Sequence, residues 1–160
     1  MPYPEFTPLT CEFRRSSVSD SRNPRASAGG ISDCPDWQKV TTAALDDLDV
    51  TVFNPRRSTF PLHDPNAEAA QVAWEYRHLR RADLAMFWFP ESPNSHQPIA
   101  LYELGMAAGQ DVDLVVGADL GYVRRTNVVA QLSHARPGLH VHSTMADTIE
   151  ACRTALRAAR

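Results

Sequence analysis

The sequence predicts a three-layer α/β domain built around a parallel sheet. From residue 25 onward, short apolar runs alternate with amphipathic stretches, as in consecutive strand–helix units. The middle runs are continuously apolar rather than alternating, which is typical of parallel strands covered by helices on both faces. Five such units in a row, joined by right-handed crossovers, predict a five-stranded parallel sheet between two layers of helices.

Each predicted element follows from its local pattern. The predicted strands are Arg25–Ala28, Val50–Phe53, Leu84–Phe89, Asp113–Val116 and Leu139–His142. The predicted helices are Asp36–Leu48, Asn66–Arg81, Pro98–Gln110, Thr126–Ala135 and Met145–Ala159. Proline and aspartate, which are common at helix starts, stand at the beginning of the first two helices.

Length and composition limit the class of protein. A chain of 160 residues favours one domain, which we place at residues 25–160, after a proline-rich and poorly ordered lead-in at residues 1–24. The formal charge of -3 gives no electrostatic reason to expect a nucleic acid polymer or an anionic membrane as partner. The longest apolar run, Leu84–Phe89, is far shorter than the roughly 20 residues that span a bilayer. The chain opens with no signal-peptide pattern, so we expect a cytoplasmic protein.

Cysteine and histidine spacing predicts neither a disulfide framework nor a metal site. The three cysteines are scattered and form no C-x-x-C pair. His140 and His142 alternate along an apparent strand and lack the spacing of helical metal ligands. We therefore expect no metal and no cofactor.

Polar residues are concentrated where the predicted strands end. Parallel α/β sheets bind ligands in the crevice beyond the carboxyl ends of their strands, so these segments are the candidate site. They comprise residues 28–32, 54–57, 90–97, 117–119 and 122–128.

Glu103 is the residue with the clearest chemical potential. It lies in the middle of the third predicted helix, and its neighbours one turn away are Ile99, Met106 and Ala107. The helix is apolar nearly all round, so we expect it to be buried, and a buried carboxylate is costly unless a partner or ligand offsets it. Such a carboxylate can attack an N-glycosidic carbon and form a glycosyl-enzyme ester, or stabilise charge there. A second interpretation is a partly exposed glutamate that favours the helix dipole.

Several segments, in order and spacing, resemble a known enzyme family. They are Ala28–Ile31 with Trp37-Gln38, Asn54–Arg57, Gln71–Glu75, Ala82-Asp83, Phe87–Pro90, Pro98–Gly105 and Tyr122–Val128. Together they resemble the nucleoside 2-deoxyribosyltransferase-like family, in particular its short bacterial branch. The resemblance implies a flavodoxin-like fold, an oligomer, and exchange or hydrolysis of the base of a nucleoside or nucleotide.

The resemblance also assigns roles to individual residues. Glu103 matches the nucleophile of the family. Asn127 matches an asparagine that reaches the nucleophile or sugar, often from a neighbouring subunit. Gly29 and Gly30 match a turn that approaches the sugar, which glycine permits because it has no Cβ.

The sequence departs from the family pattern at a position that matters for the chemistry. The transferases carry an aspartate six residues before the nucleophile, where it helps to handle the base, and this chain has Gln97 there. A general acid contributes roughly 10² to 10⁴ in rate, so another group should replace it, and Glu91 at the end of the third strand is our candidate. His96 can also donate a proton to the leaving base, or it is simply an exposed loop residue.

Residues after the second strand bear on the choice between nucleoside and nucleotide. Asn54 and Arg56 follow that strand directly, and a guanidinium there can clamp a phosphate with two hydrogen bonds. The alternative is a solvated turn in which the arginine pairs with a helix acid. Arg124 and Arg125, after the fourth strand, allow the same two interpretations.

The sequence leaves the reaction open between two outcomes. Transfer of a 2-deoxyribosyl group between bases and hydrolysis that releases the base share their first half-reaction, and differ in whether a base or water attacks next. We expect a small nucleoside or nucleotide as ligand, and a homo-oligomer whose subunits share a site. The alternative function is a non-catalytic nucleotide-binding or sensing module on the same fold, which the missing aspartate and the polar first strand favour.

Overall fold

The computed structural model describes residues 10–15, 34–54, 65–93 and 95–158 of the chain. Its strands are β1 (Thr10–Arg15), β2 (Val50–Phe53), β3 (Leu84–Phe89), β4 (Asp113–Ala118) and β5 (Val141–His142). Its helices are α1 (Trp37–Ala44), α2 (Pro65–Leu79), α3 (Pro98–Ala108), α4 (Arg125–Ala135) and α5 (Met145–Ala158).

Within these described ranges the sheet has five strands in the order β2-β1-β3-β4-β5, and it is mixed. β3, β4 and β5 pair in parallel, whereas β1 is antiparallel to both of its neighbours, β2 and β3. The predicted α/β fold with a parallel sheet is confirmed, but three strands of the described sheet pair in parallel instead of the five expected. The predicted first strand, Arg25–Ala28, lies outside the described residues.

β1 comes from the part of the chain to which the sequence analysis assigned no strand. In Thr10–Arg15, Cys11 and Phe13 alternate with polar or charged residues. This period of two is typical of an antiparallel strand with one apolar face, and the surrounding prolines obscured it. The division into a lead-in and one domain stays a prediction.

The other strands agree closely with the predicted bounds. β2 and β3 begin and end where predicted, β4 extends to Ala118, and β5 begins at Val141. Because β1 is antiparallel to both β2 and β3, these two strands run in the same direction. The carboxyl ends of β2, β3, β4 and β5 therefore lie along one side of the sheet, which we call the carboxyl edge.

The core is centred on β3 and β4. All six side chains of β3 are buried, so both faces of this strand are covered. On one face α5 packs directly on the sheet, since a Cβ added at Gly117 would collide with Thr148 Oγ1 of α5. Helix α1 contacts α5, and α3 contacts both β3 and α4. Burying each large apolar side chain of β3 contributes about 1.5–3 kcal/mol, which makes this strand the structural support of the site.

Arg136 secures the C-terminal end of α3. Its guanidinium donates hydrogen bonds to main-chain carbonyl oxygens around that end, including Ala108 O at 2.9 Å and Val112 O at 3.1 Å. The last carbonyls of a helix have no partner within the helix, so this contact satisfies them. Arg136 follows α4, and it therefore joins α4 to α3.

No helix among residues 10–15, 34–54, 65–93 and 95–158 is both long and apolar enough to cross a membrane.

Candidate active site at the carboxyl edge of the sheet

Gln97 closes the loop of residues 90–97 that joins β3 to α3. Its backbone is left-handed (φ 52°, ψ 52°), and among the described residues it alone has a positive φ without being glycine. Its side chain is 4% exposed, and Nε2 donates a hydrogen bond to Pro90 O at 3.1 Å. Ser95 Oγ accepts from the Gln97 backbone N–H at 3.2 Å. A strained backbone position held by several contacts is common at ligand sites.

Glu103 lies on the inner side of α3. It is 6% exposed and shares the buried side of the helix with Ala100, Leu104 and Ala107. Its Oε2 atom is shielded from solvent. The expected burial of the carboxyl group is confirmed, and its role as nucleophile stays a prediction.

The opposite side of α3 faces outward, so the expectation of a helix buried nearly all round is wrong. Ile99 is 40% exposed and Tyr102 is 65% exposed. The physical reason is that a helix covering a sheet buries only the side that touches the sheet. Apolar composition alone therefore overestimated the burial of α3.

A second loop, residues 119–124 between β4 and α4, is tied to the first. Tyr122 donates its hydroxyl to His96 O at 2.8 Å, and its ring stacks on Phe89 with centroids 5.2 Å apart. Asp119 N donates to Phe89 O at 2.8 Å. Burial raises the pKa of Tyr122 to about 12, although nearby Arg124 opposes the shift, so the phenol stays protonated and able to donate. These contacts thus hold the two loops together at the carboxyl edge.

Glu91 lies against this second loop. Its side chain is exposed, and a Cβ added at Gly121 would lie 2.6 Å from Glu91 Cδ. Glycine at position 121 lets the Glu91 carboxyl group lie against this loop, and a larger residue there would displace the flexible end of Glu91. Glu91 is therefore at the same edge of the sheet as the loop that leads to Glu103.

His96 and Asn127 are both exposed. His96 contributes its backbone carbonyl to the contact with Tyr122, while its ring faces solvent. Asn127 lies in the first turn of α4, next to the second loop. Exposure of Asn127 is compatible with the predicted contact to a neighbouring subunit, which stays a prediction.

The remaining predicted site residues lie near the end of β2 or outside the described residues. Asn54 is half-buried directly after β2. The preceding residue, Phe53, packs edge-on against His78, with ring centroids 4.6 Å apart. Gly29, Gly30 and Arg56 lie outside the described residues, and their roles stay predictions.

Helix α2 contains a buried polar pair that the sequence analysis did not find. Gln71 and Glu75 are 5% and 3% exposed, and Gln71 Nε2 donates to Glu75 Oε1 at 2.5 Å. Their separation by four residues on one helix is the signal that could have revealed the pair. On the same helix Trp74 and His78 stack with centroids 3.9 Å apart.

Arg125 supports the structural interpretation of the arginines after β4. Its guanidinium donates to Ala118 O, to His142 O at 3.2 Å and to Ser143 Oγ at 2.9 Å. These contacts join the carboxyl ends of β4 and β5. Arg124 is exposed, so it is the arginine of this pair that solvent or a ligand can reach.

Three further buried residues carry polar atoms that have no hydrogen-bond partner in the described part of the chain. They are the indole N–H of Trp37, both amide atoms of Gln38, and the hydroxyl of Ser92. Trp37 and Gln38 begin α1, and Ser92 lies in the loop after β3. Nothing in the sequence distinguishes Ser92 from an ordinary loop serine, which is why it was missed.

Within the described ranges, no group of three or more histidine, cysteine, aspartate or glutamate side chains is arranged to hold a metal ion.

The geometry defines an α/β domain in which two connected loops border the carboxyl edge, the usual ligand site of such sheets, and α3, which follows the first loop, carries a buried glutamate. A family model described as nucleoside 2-deoxyribosyltransferase like matches residues 28–122, well over half of the chain. The protein therefore belongs to the nucleoside 2-deoxyribosyltransferase-like family, which relates it to nucleoside-processing enzymes. The match includes β3, the loop after it, and α3 with Glu103. A comparison with curated proteins finds no match.

Proposed function

We propose that this protein cleaves the N-glycosidic bond of a nucleoside or nucleotide, with Glu103 as the nucleophile. The observation that carries the proposal is a carboxyl group 6% exposed on a helix that starts at the carboxyl edge, within the segment that matches the family. Burying a carboxylate costs free energy, and a catalytic role gives a reason for that cost.

The reaction has two steps that share one intermediate. A Glu103 carboxylate oxygen attacks the anomeric carbon, a C–O ester bond forms, and the C–N bond breaks with its electron pair moving to the base. A second base, or water, then attacks the same carbon and releases the carboxylate. Apolar neighbours such as Ala100 and Leu104 limit water around the carboxylate, which strengthens its electrostatic interaction with the oxocarbenium-like transition state.

The leaving base needs a proton, and Gln97 cannot supply one because its side chain is a neutral amide. We assign this role to Glu91, whose carboxyl group lies at the same edge against Gly121. His96 is the second candidate, since this residue is exposed in the same loop and an imidazole can donate a proton.

Further residues complete the proposed substrate site. Gly29 and Gly30 would approach the sugar, and Asn54 and Arg56 would contact the polar end of the substrate after β2. In a homo-oligomer, Asn127 would contact the sugar of the substrate bound in the site of a neighbouring subunit. The exposure of Asn127 on α4 supports this arrangement.

A non-catalytic nucleotide-binding module is the second candidate function. It is favoured by the amide of Gln97 at a position where the transferases carry an acid. This alternative keeps the fold and the binding site and omits bond cleavage.

One assay separates these functions. The purified protein is incubated with a 2′-deoxynucleoside or its 5′-monophosphate, with and without a second free base, and the products are separated by chromatography. A transferase makes a new nucleoside only when the second base is present, and a hydrolase releases the base without it. Saturable binding with no base released over long incubation would support the non-catalytic alternative and contradict our proposal.

A further inference from the structure

His140 and His142 lie side by side at β5. His140 directly precedes the strand and His142 is its last residue. Residues two apart on a strand point to the same face of the sheet, so a spacing that is unsuited to metal binding on a helix is suited to it here. The two rings are in contact, with centroids 4.7 Å apart and planes at 79°. His140 is exposed and His142 is half-buried, so solvent reaches the pair.

The distance between the rings fits two ligands of one ion. A histidine nitrogen binds a transition metal at about 2.0–2.1 Å, which places the centroid of its ring about 3.2 Å from the ion. Two such rings, at a ligand–metal–ligand angle of about 90–110°, have centroids about 4.5–5.2 Å apart. The observed separation of 4.7 Å lies within this range. The spacing of the pair therefore already suits a shared ion.

The backbone that carries the pair is held in place. Val141 and His142 pair in parallel with β4. On the other side of the strand end, the Arg125 guanidinium donates to His142 O at 3.2 Å and to Ser143 Oγ at 2.9 Å. Ligands on a fixed backbone lose less conformational freedom when they bind, which favours affinity.

Helix α5 supplies a negative charge beside the pair. His142 pairs with Gly117 in the sheet, and a Cβ added at Gly117 would collide with Thr148 Oγ1, so both strand residues face α5. Asp147, in the first turn of α5, interacts electrostatically with His142. The carboxylate of Asp147 is fixed by Thr144, whose hydroxyl donates to Oδ2 at 2.7 Å. A fixed negative charge at this place favours a bound cation.

We propose that His140 and His142 chelate one divalent transition-metal ion at the carboxyl end of β5, with water in its remaining positions. In the part of the chain that the structure describes, no third histidine, cysteine, aspartate or glutamate side chain completes the set, so Asp147 contributes charge rather than coordination. Imidazole nitrogens favour Cu²⁺, Ni²⁺ and Zn²⁺, whereas Mg²⁺ and Ca²⁺ prefer oxygen ligands. This site is separate from the proposed glycosidic chemistry and does not depend on it.

The test is a metal titration of the full chain without a purification tag, after a chelator has removed any bound metal. Titration calorimetry with Ni²⁺ should show one ion per chain, Cu²⁺ should bind more tightly than Ni²⁺, and Mg²⁺ should give no measurable binding. His140→Asn and His142→Asn should each weaken Ni²⁺ binding by about tenfold or more, because each variant removes one arm of the chelate.

His134→Asn is the matched control. His134 is an exposed histidine on α4, so its loss should change the Ni²⁺ affinity by less than about twofold. Circular dichroism checks that all three variants fold, and His140→Asn keeps the test valid if His142→Asn does not, since His140 is exposed. As a second measurement, substoichiometric Cu²⁺ should broaden the nuclear magnetic resonance signals of His140 and His142 before those of His134.

Three results would overturn the inference. The first is the absence of saturable Ni²⁺ and Cu²⁺ binding. The second is binding that survives either His140→Asn or His142→Asn in a folded protein, because a chelate needs both rings. The third is an equal loss of affinity in His134→Asn, which would mean that the ion binds to surface histidines without preference.

Discussion

Two consecutive helices each contain a buried glutamate, Glu75 and Glu103, and the two differ in the side chains that their own helix places beside them. Glu75 on α2 is 3% exposed and receives a hydrogen bond from Gln71, one turn earlier, at 2.5 Å. Glu103 on α3 is 6% exposed, and the residues three and four positions away on its helix are all apolar. The two carboxyl groups are similarly buried. Glu75 has a hydrogen-bond donor on its own helix, whereas the neighbours of Glu103 on its helix are apolar.

The comparison indicates how a structural acid differs from a reactive one. A buried carboxylate that receives an amide donor from its own helix is stabilised by the folded state itself. A buried carboxylate whose own helix offers no side-chain donor depends on groups supplied by other elements or by a ligand. We therefore assign a structural role to Glu75 and the proposed chemistry to Glu103.

The largest expected effect comes from exchanging each acid for its amide. Glu103→Gln should lower the rate of base release by about a thousandfold or more, because the amide is a very poor nucleophile. Glu75→Gln should change that rate by less than about tenfold once the folded fraction is equalised. The measurement is chromatography of the released base, with circular dichroism as the control for folding. Equal losses in the two variants would remove the distinction between the helices.

A stability comparison at the position four residues before each glutamate gives the next largest effect. Gln71→Ala removes the donor to a buried carboxylate and should lower the free energy of unfolding by about 1–3 kcal/mol. Ile99→Ala, at the matching place on α3, should cost less than about 1 kcal/mol because Ile99 is 40% exposed. Urea denaturation monitored by circular dichroism measures both values. A larger loss for Ile99→Ala would show that α3 depends on its outer side.

The loop before α3 provides a smaller effect. Tyr122→Phe removes the hydrogen bond to His96 O and should cost about 1 kcal/mol of unfolding free energy. The stacking on Phe89 is retained, so the core should stay intact. Urea denaturation measures the loss. Hydrogen exchange of the Gln97 backbone N–H should also be faster in the same variant. Unchanged exchange would mean that the hydroxyl does not hold this loop.

The smallest effect concerns pH and a group outside both helices. Burial lowers the pKa of His142 below its ordinary value of 6.5, with repulsion from His140 adding to the shift and Asp147 opposing it. The unfolded chain therefore takes up this proton more readily than the folded protein, so stability falls slightly as the pH drops through about 6.5. The change in folding stability is small because the His142 ring is partly exposed and solvent screens its charge.

The matching measurement is thermal unfolding at about pH 7.5 and about pH 5.5 for the natural protein and for His142→Asn. The natural protein should lose slightly more of its melting temperature on acidification than the variant. A larger loss in the variant would contradict the direction of the shift.

Much of the fold was predictable because its main signals are local. The continuous apolar run of β3 gave its bounds directly, and proline at the start of α3 marked that helix. The direction of β1 could not be predicted, because strand pairing depends on contacts between segments far apart in sequence. A period of two in Thr10–Arg15 indicates a strand, but it does not show which strands pair with it or in which direction.

The main acid of the candidate site could be predicted from the sequence. The contacts that hold the loop before α3 in place could not. Glu103 was identified because a lone carboxylate interrupts an apolar helix, a contrast visible in sequence. The contact of Tyr122 with His96 joins residues 26 positions apart, and nothing local marks it. The orientation of the Gln97 amide likewise depends on the path of the loop back to Pro90.

Trapping the covalent intermediate tests the central claim most directly. A 2-fluoro-substituted nucleoside slows breakdown of a glycosyl ester because fluorine destabilises the oxocarbenium-like transition state. After acid quenching, mass spectrometry of the digested protein should show one sugar attached to the peptide that contains Glu103. Base released from this substrate with no adduct, or with an adduct on another residue, would contradict the account.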